Sequence, residues 1–212
     1  TPPRLSGGRF LITGGMGAIG LRVAELLADE GCAHLTLVGR TVPDEGERRH
    51  RLDRLGARCA LDIVAADVRD LPALLADAPR FDGVFHTAGV LRDGLARGLT
   101  PQRIAEVLGP KAGGAHALAE LAAAHEPPGF VALFSSVAAV RANLGQSAYA
   151  AANAYLDGFA ARQRAAGRPW YSLGWGLWTV GMGEDVAPRA ATHGVPALTP
   201  DDGAALLRTV LG

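Results

Sequence analysis

Short runs of β-branched and aromatic residues, each followed by a longer segment of helical period, recur along this chain, and that alternation restricts the fold more than any other feature. Extended runs fall at about 9–13 (Arg-Phe-Leu-Ile-Thr), 34–38 (His-Leu-Thr-Leu-Val), 60–65, 83–87, 130–135 and 170–174. Between them, helical spacing predicts segments at about 17–30, 46–56, 71–78, 101–107, 111–125 and 146–167. A last helix is expected near 200–211, opened by Thr199-Pro200-Asp201, a capping residue with proline in the first turn. Parallel strands need crossover connections of this length. The expected fold class is therefore α/β, a doubly wound Rossmann-type parallel sheet with helices on both faces. Such sheets bind ligands beyond the carboxyl ends of their strands, so functional residues are sought there. The stretch 179–198, rich in Gly, Pro and scattered charge, reads as a long loop, and long loops in compact domains often serve as lids.

The chain has 212 residues, the size of one α/β unit, and residues 1–212 are read as a single domain. Its 21 basic and 21 acidic residues cancel, so no net field draws it to nucleic acid or to an anionic membrane surface. The longest charge-free stretches, Ala142 to Leu156 and Pro169 to Gly183, contain polar side chains and fall short of the ~18 apolar residues of a membrane span. Cys32 and Cys59 make neither a disulfide framework nor a zinc pattern, which fits a reducing, cytoplasmic setting and no metal. The opening Thr1-Pro2-Pro3-Arg4 has no signal-peptide character and suggests a segment of something longer. All but one of the 21 basic residues are Arg, a bias that points to a GC-rich bacterial genome and makes Lys111, the single lysine, conspicuous.

Directly after the first strand comes Thr13-Gly14-Gly15-Met16-Gly17-Ala18-Ile19-Gly20, opening a helix. Glycines there let the backbone approach a pyrophosphate and turn the free N–H groups of the helix amino end toward its charge. Thr13, Gly14, Gly15, Met16, Gly17, Ile19 and Gly20 are accordingly candidate cofactor-binding residues, with Asp67, Val68, Ala88 and Gly89 after later strands. An NAD-preferring fold ends its second strand with an acid; this chain has Val38-Gly39-Arg40, and Arg40 suits the 2′-phosphate of NADP unless it is a solvated loop residue. Asp67 is placed either to accept from an adenine amino group or to cap the segment that follows.

Ser136 ends the fifth strand, Tyr149 follows thirteen residues later, and Asn153 lies one turn beyond it on the same helix face. A tyrosine beside an ammonium group can protonate a developing alkoxide, provided its pKa falls from ~10 toward neutrality, and Lys111 is the only lysine able to lower it. Separately, each residue has an ordinary structural use as cap, core or surface. Their order downstream of a nucleotide turn is what makes them a catalytic set.

The combination Thr13-Gly14-Gly15-x-Gly17-x-x-Gly20, His86-Thr87-Ala88-Gly89-Val90, Pro110-Lys111, Phe134-Ser135-Ser136, Tyr149-x-x-x-Asn153 and Trp175-Gly176-Leu177-Trp178 resembles the catalytic half of a ketoreductase domain of a modular polyketide synthase, within the short-chain dehydrogenase/reductase superfamily. Most members of that superfamily place Lys four residues after the Tyr. Here, as in synthase ketoreductases, Asn153 stands in that place and Lys111 comes from a preceding helix. The resemblance implies NADPH as hydride donor and a β-ketoacyl chain on an acyl carrier protein as substrate. It also implies Tyr149 as proton donor, Ser136 as hydrogen-bond donor to the carbonyl, and Lys111 with Asn153 as orienting groups. A structural half and neighbouring synthase domains are the implied partners, and the family's final strand is expected to be missing from this chain.

Asp93, Arg141 and Leu144 are the candidate substrate-orienting residues. B-type relatives, which give the D-configured alcohol, resemble Leu-Asp-Asp where this chain has Leu91-Arg92-Asp93. A-type relatives carry Trp where this chain has Arg141, while the Pro and Asn frequent in B-type relatives are replaced by Leu144 and Ala148. On balance the pattern is read as B-type. The competing readings are a free-standing dehydrogenase of small ketones, opposed by Asn153 in the lysine place, and a non-catalytic NADP-binding scaffold, opposed by the intact set of four.

Overall fold

The computed structural model describes residues 3–124, 126–141, 143–184, 187 and 196–211. Six strands are present: β1 (Arg9–Thr13), β2 (His34–Gly39), β3 (Ala60–Ala65), β4 (Gly83–His86), β5 (Val131–Ser136) and β6 (Trp170–Trp175). The helices are α1 (Ala18–Asp29), α2 (Gly46–Gly56), α3 (Leu71–Leu74), α4 (Pro101–Leu108), α5 (Gly114–Ala124), α6 (Ser147–Ala165) and α7 (Pro200–Leu211). The strands form one sheet in the order β3-β2-β1-β4-β5-β6, every pair parallel, as the alternation in sequence requires. Strand order reverses between β1 and β4, and the crevice above that switch point is where a ligand fits.

Residues alternate between the two faces along β1. Phe10 and Ile12 point into a core shared with Leu26 and Leu27 of α1 and Leu207 of α7, while Leu11 joins the opposite core with Leu118 of α5 and Leu156 of α6. Helices on both faces explain why β1, β2, β4 and β5 read as nearly continuous apolar runs. Thr199 and Asp202 cap α7 reciprocally, the Asp202 amide donating to Thr199 Oγ1 at 3.1 Å and the Thr199 amide to Asp202 Oδ2 at 2.9 Å. Arg22 of α1 then donates to Asp201 at 2.6 Å and ties the last helix to the first.

Two helices differ from the sequence reading. The segment expected at 71–78 is helical only over Leu71–Leu74: Leu75 leaves helical geometry, 75–77 form a turn, and Pro79 bars the helix from resuming at Ala78. The helices expected at 101–107 and 111–125 join into one rod through a π-turn at Gly109–Gly113, so α5 begins at Gly114. Among the described residues no seventh strand lies beyond β6, and no helix is long and apolar enough to cross a membrane. Half of the expected lid, 179–198, lies outside the described residues. At its ends Trp178 and Leu198 form a parallel bridge.

Candidate active site

The chain leaves β1 through Gly14, whose φ of 69° lies in the left-handed region. A Cβ there would also stand 2.7 Å from the Ala88 amide nitrogen, so the turn and the loop after β4 close on one another only with glycine. Gly20 is equally constrained: its Cβ would collide with the Gly14 carbonyl oxygen and push α1 off the turn. Gly17 caps α1 without a side-chain hydrogen bond, and no acidic residue occupies the first helical turn. The helix therefore presents unclaimed amide donors and the positive end of its dipole.

These groups face a cavity of about 470 Å³. One wall is Gly14, Met16, Gly17, Ile19 and Gly20; the others include Arg40 at the end of β2, Asp67 and Val68 after β3, and Ala88 and Gly89 after β4. Two expected members do not reach it. Thr13 is fully buried and turned toward His86, and Gly15 is packed on Leu37, so both shape the turn from beneath. Asp67 does act as a cap, accepting from the Arg69 amide at 3.0 Å, and it pairs with the Arg69 guanidinium at 2.9 Å. That hydrogen bonding holds its carboxyl below the usual range, while one side still lines the cavity. Arg48, in the first turns of α2, lines the cavity as well and was not singled out in the sequence. Its neighbours Arg49, Arg51 and Arg54 all pair with carboxylates, a distinction invisible in an arginine-rich run.

Ser136, Tyr149, Lys111 and Asn153 converge beside this cavity. Ser136 ends β5, and its Oγ accepts from the Ala138 amide at 3.2 Å, which leaves its own proton to donate elsewhere. Tyr149 lies in the first turn of α6, and the side-chain Nδ2 of Asn153 donates to the Tyr149 carbonyl at 2.8 Å, bracing that turn. Asn153 Oδ1 is buried without a partner among the described residues. Lys111, only 4% exposed, projects from the π-turn, donates from Nζ to the Phe134 carbonyl at 2.8 Å and stands 5.7 Å from the centre of the Tyr149 ring. π-turns recur at functional sites because the extra residue re-aims a side chain.

The protonation of this set corrects the expectation of a tyrosine depressed toward neutrality. Burial raises the Tyr149 pKa, hydrogen bonding from Asn153 and Ser136 opposes it, and the Asp93 carboxylate adds to the rise. Lys111 moves the other way: burial lowers it to about 8, with the Asp157 carboxylate opposing. At neutral pH the phenol therefore holds its proton and the ammonium keeps most of its charge.

At the mouth of the cleft, the loop carrying Asp93 is tied to the turn before α6. Gln146 Nε2 donates to Asp93 Oδ2 at 3.1 Å, and the Gly94 amide donates to the Gly145 carbonyl at 2.8 Å. Leu144 protrudes from this turn, 92% exposed, and Arg141 is exposed as well. Gln146 joins the rim through contacts that sequence reasoning did not anticipate.

The KR domain family matches residues 8–180. The chain belongs to that family. A polyketide synthase relative, the spectinabilin polyketide synthase system protein NorB of Streptomyces orinoci, is 42% identical over 220 residues, covering 96% of this chain and 10% of that protein. A solved structure described as A-type ketoreductases from modular polyketide synthase superposes with a TM-score of 0.88 at 39% identity, covering all of this chain and 46% of that one. A short-chain dehydrogenase of Burkholderia cenocepacia in complex with NADP superposes at 0.80 with 26% identity, over 99% of this chain and 92% of that one. This KR chain thus spans a tenth or less of the length of the curated synthases it matches.

Proposed function

We propose that this chain reduces the β-keto group of an acyl-carrier-protein-bound polyketide thioester to a β-hydroxyl, with NADPH as the hydride donor. The observation that carries the reading is the convergence of Tyr149, Ser136, Lys111 and Asn153 beside the glycine-walled cavity. The residues present fit a nicotinamide dinucleotide: a Cβ at Gly14 or Gly20 would close the turn, the α1 amides are unclaimed, and Arg40 and Arg48 supply positive charge on one wall. Gly14, Met16, Gly17, Ile19 and Gly20 would hold the pyrophosphate end, Arg40 the 2′-phosphate, and Ala88 and Gly89 the far end of the molecule. When bound, NADPH supplies the hydride that turns the carbonyl carbon into a carbinol carbon.

The side chains manage the oxygen. Ser136 Oγ donates a hydrogen bond to the carbonyl oxygen and polarises it. Tyr149 Oη donates the proton that the oxygen takes up as the C=O π pair moves onto it, leaving a phenolate. Because burial raises the Tyr149 pKa, the phenol arrives protonated, and the nearby Lys111 ammonium offsets the charge that appears when the proton leaves. Asn153 fixes the helical turn that carries Tyr149.

The same reading makes residues 1–212 one catalytic unit within a cytoplasmic synthase, with a structural half and other synthase domains as partners. The product is assigned the D configuration, from Asp93 on the rim and Arg141 where A-type relatives carry Trp. Likeness to an A-type structure does not decide the hand, because about 1.4 kcal/mol between two substrate poses already gives a tenfold product ratio. Incubation with NADPH and a β-ketoacyl thioester, free and on carrier protein, followed by chiral analysis of the alcohol, tests all of this. Reduction that is faster on the carrier and mainly D is expected, with Asp93→Ala eroding the ratio more than the rate. A mainly L product overturns the B-type assignment alone, and absence of reduction overturns the activity.

A further inference from the structure

His86, the last residue of β4, has no exposed surface and takes no part in the chemistry above. On one side its Nδ1 lies 2.6 Å from Thr13 Oγ1, at the foot of the glycine turn, and on the other its Nε2 lies 3.2 Å from the carbonyl oxygen of Lys111. We infer that His86 is a positioning residue that clamps the π-turn backbone of Lys111 to the β1 end of the cofactor turn and so fixes where the ammonium sits relative to Tyr149. This rests on the reading that Lys111 assists Tyr149.

Chemistry selects the arrangement of protons. A carbonyl oxygen only accepts, so Nε2 carries the hydrogen and donates to Lys111. Nδ1 is then an acceptor, and the Thr13 hydroxyl donates to it. One neutral tautomer satisfies both contacts. The ring stays neutral, since burial, reinforced by the Lys111 charge, lowers the His86 pKa to about 3.

The packing shows why a clamp is needed. A π-turn breaks the regular ladder of the α4–α5 rod, so its geometry depends on what packs against it. A Cβ on Gly114, the residue that resumes the helix, would stand 2.6 Å from His86 Cε1, so the ring seats under the turn only because glycine is there. A Cβ on Gly89, three residues past His86, would stand 3.1 Å from Lys111 Cε. The end of β4 and the loop after it thus support Lys111 twice, its backbone through His86 and its stem beside Gly89, while the Phe134 carbonyl receives the ammonium. Thr13 and His86 are also register partners on adjacent parallel strands, so the clamp crosses the switch point of the sheet.

The test combines a spectroscopic and a kinetic readout on the full chain. Imidazole ¹⁵N shifts of His86 should report the Nε2–H tautomer, unchanged from about pH 6 to 9; an Nδ1–H tautomer, or titration within that range, overturns the clamp whether or not the protein reduces a thioester. His86→Phe keeps the ring volume and removes both hydrogen bonds. With wild-type reduction measured alongside, its kcat should fall about ten- to hundredfold, as small displacements of a catalytic group do, while the NADPH dissociation constant read by fluorescence stays within about threefold. His86→Gln, whose amide reaches toward the same carbonyl, should recover at least about fivefold of that loss. A folded His86→Phe protein with wild-type kcat overturns the inference. So does failure of His86→Gln to recover turnover at an unchanged melting temperature. If His86→Phe does not fold, the tautomer and the His86→Gln kinetics decide.

Discussion

At Lys111, burial and function pull against each other. Desolvation brings its pKa down from 10.5 to about 8, and the Asp157 carboxylate on α6, itself hydrogen-bonded by Ser172, keeps it from falling further. The ammonium is needed in its charged form, which is present below that pKa and lost as pH rises through it. Turnover of the β-ketoacyl thioester is therefore expected to hold from pH 6 to 7 and to fall above about pH 8. In Asp157→Asn the falling limb should move to lower pH, because the group that raises the Lys111 pKa is gone. A pH profile of kcat checks both, and a flat profile to pH 10 would contradict the role given to Lys111. Arg40 is tested through the cofactor instead. A charge-assisted contact to phosphate is worth about 1.5–3 kcal/mol, so Arg40→Ala should raise the Michaelis constant for NADPH about ten- to hundredfold and barely change that for NADH. Equal weakening of both cofactors would remove Arg40 from the phosphate site, with Arg48 across the same wall the next residue to examine.

Among the elements, β1, its turn and α1 act as one unit, and Gly20 is where that unit is tightest. Gly20→Ala drives a methyl into the Gly14 carbonyl, which neither backbone can yield cheaply. About 1–3 kcal/mol of destabilisation is expected from such overpacking, a fall of roughly 3–10 °C in melting temperature, together with at least about tenfold weaker NADPH binding. A variant that melts and binds like the wild type would show that the turn tolerates a Cβ. The elements of this unit were legible in the sequence, because apolar period and glycine spacing are local signals: the strand read at 9–13 is β1, and the helix read at 17–30 is α1 within a residue at each end, whereas the inward packing of Thr13 and Gly15 was not. The surroundings of Lys111 were not legible. Pro110, which has no N–H to give the helical ladder, marks Gly109-Pro110-Lys111-Ala112-Gly113 as a disruption, but the pattern does not distinguish a π-turn from a break between helices, and the packing of His86 and Gly114 against it is seen only in the fold. The Tyr149 pKa was misjudged for a related reason: spacing brings Lys111 near the ring, but burial of the phenol, a property of the whole cleft, sets the direction.

Across the whole molecule, the parallel sheet gathers groups that are far apart in sequence. The carboxyl end of β5 supplies Ser136, α6 supplies Tyr149 and Asn153, the α4–α5 junction supplies Lys111, and the turn after β1 supplies one wall of the cavity. Ordering of strands and helices was enough to place these on one edge, since ligands in such sheets sit beyond the strand ends. The rim needed the folded structure, because the contact between Asp93 and Gln146 joins loops separated in sequence by α4, α5 and β5. The account as a whole rests on Tyr149 as the proton donor. Steady-state reduction of a β-ketoacyl thioester by Tyr149→Phe, with NADPH binding measured on the same preparation, tests this most directly. Turnover should drop on the order of 10²–10⁴-fold while NADPH binding is nearly intact; near-normal reduction by that variant would contradict it.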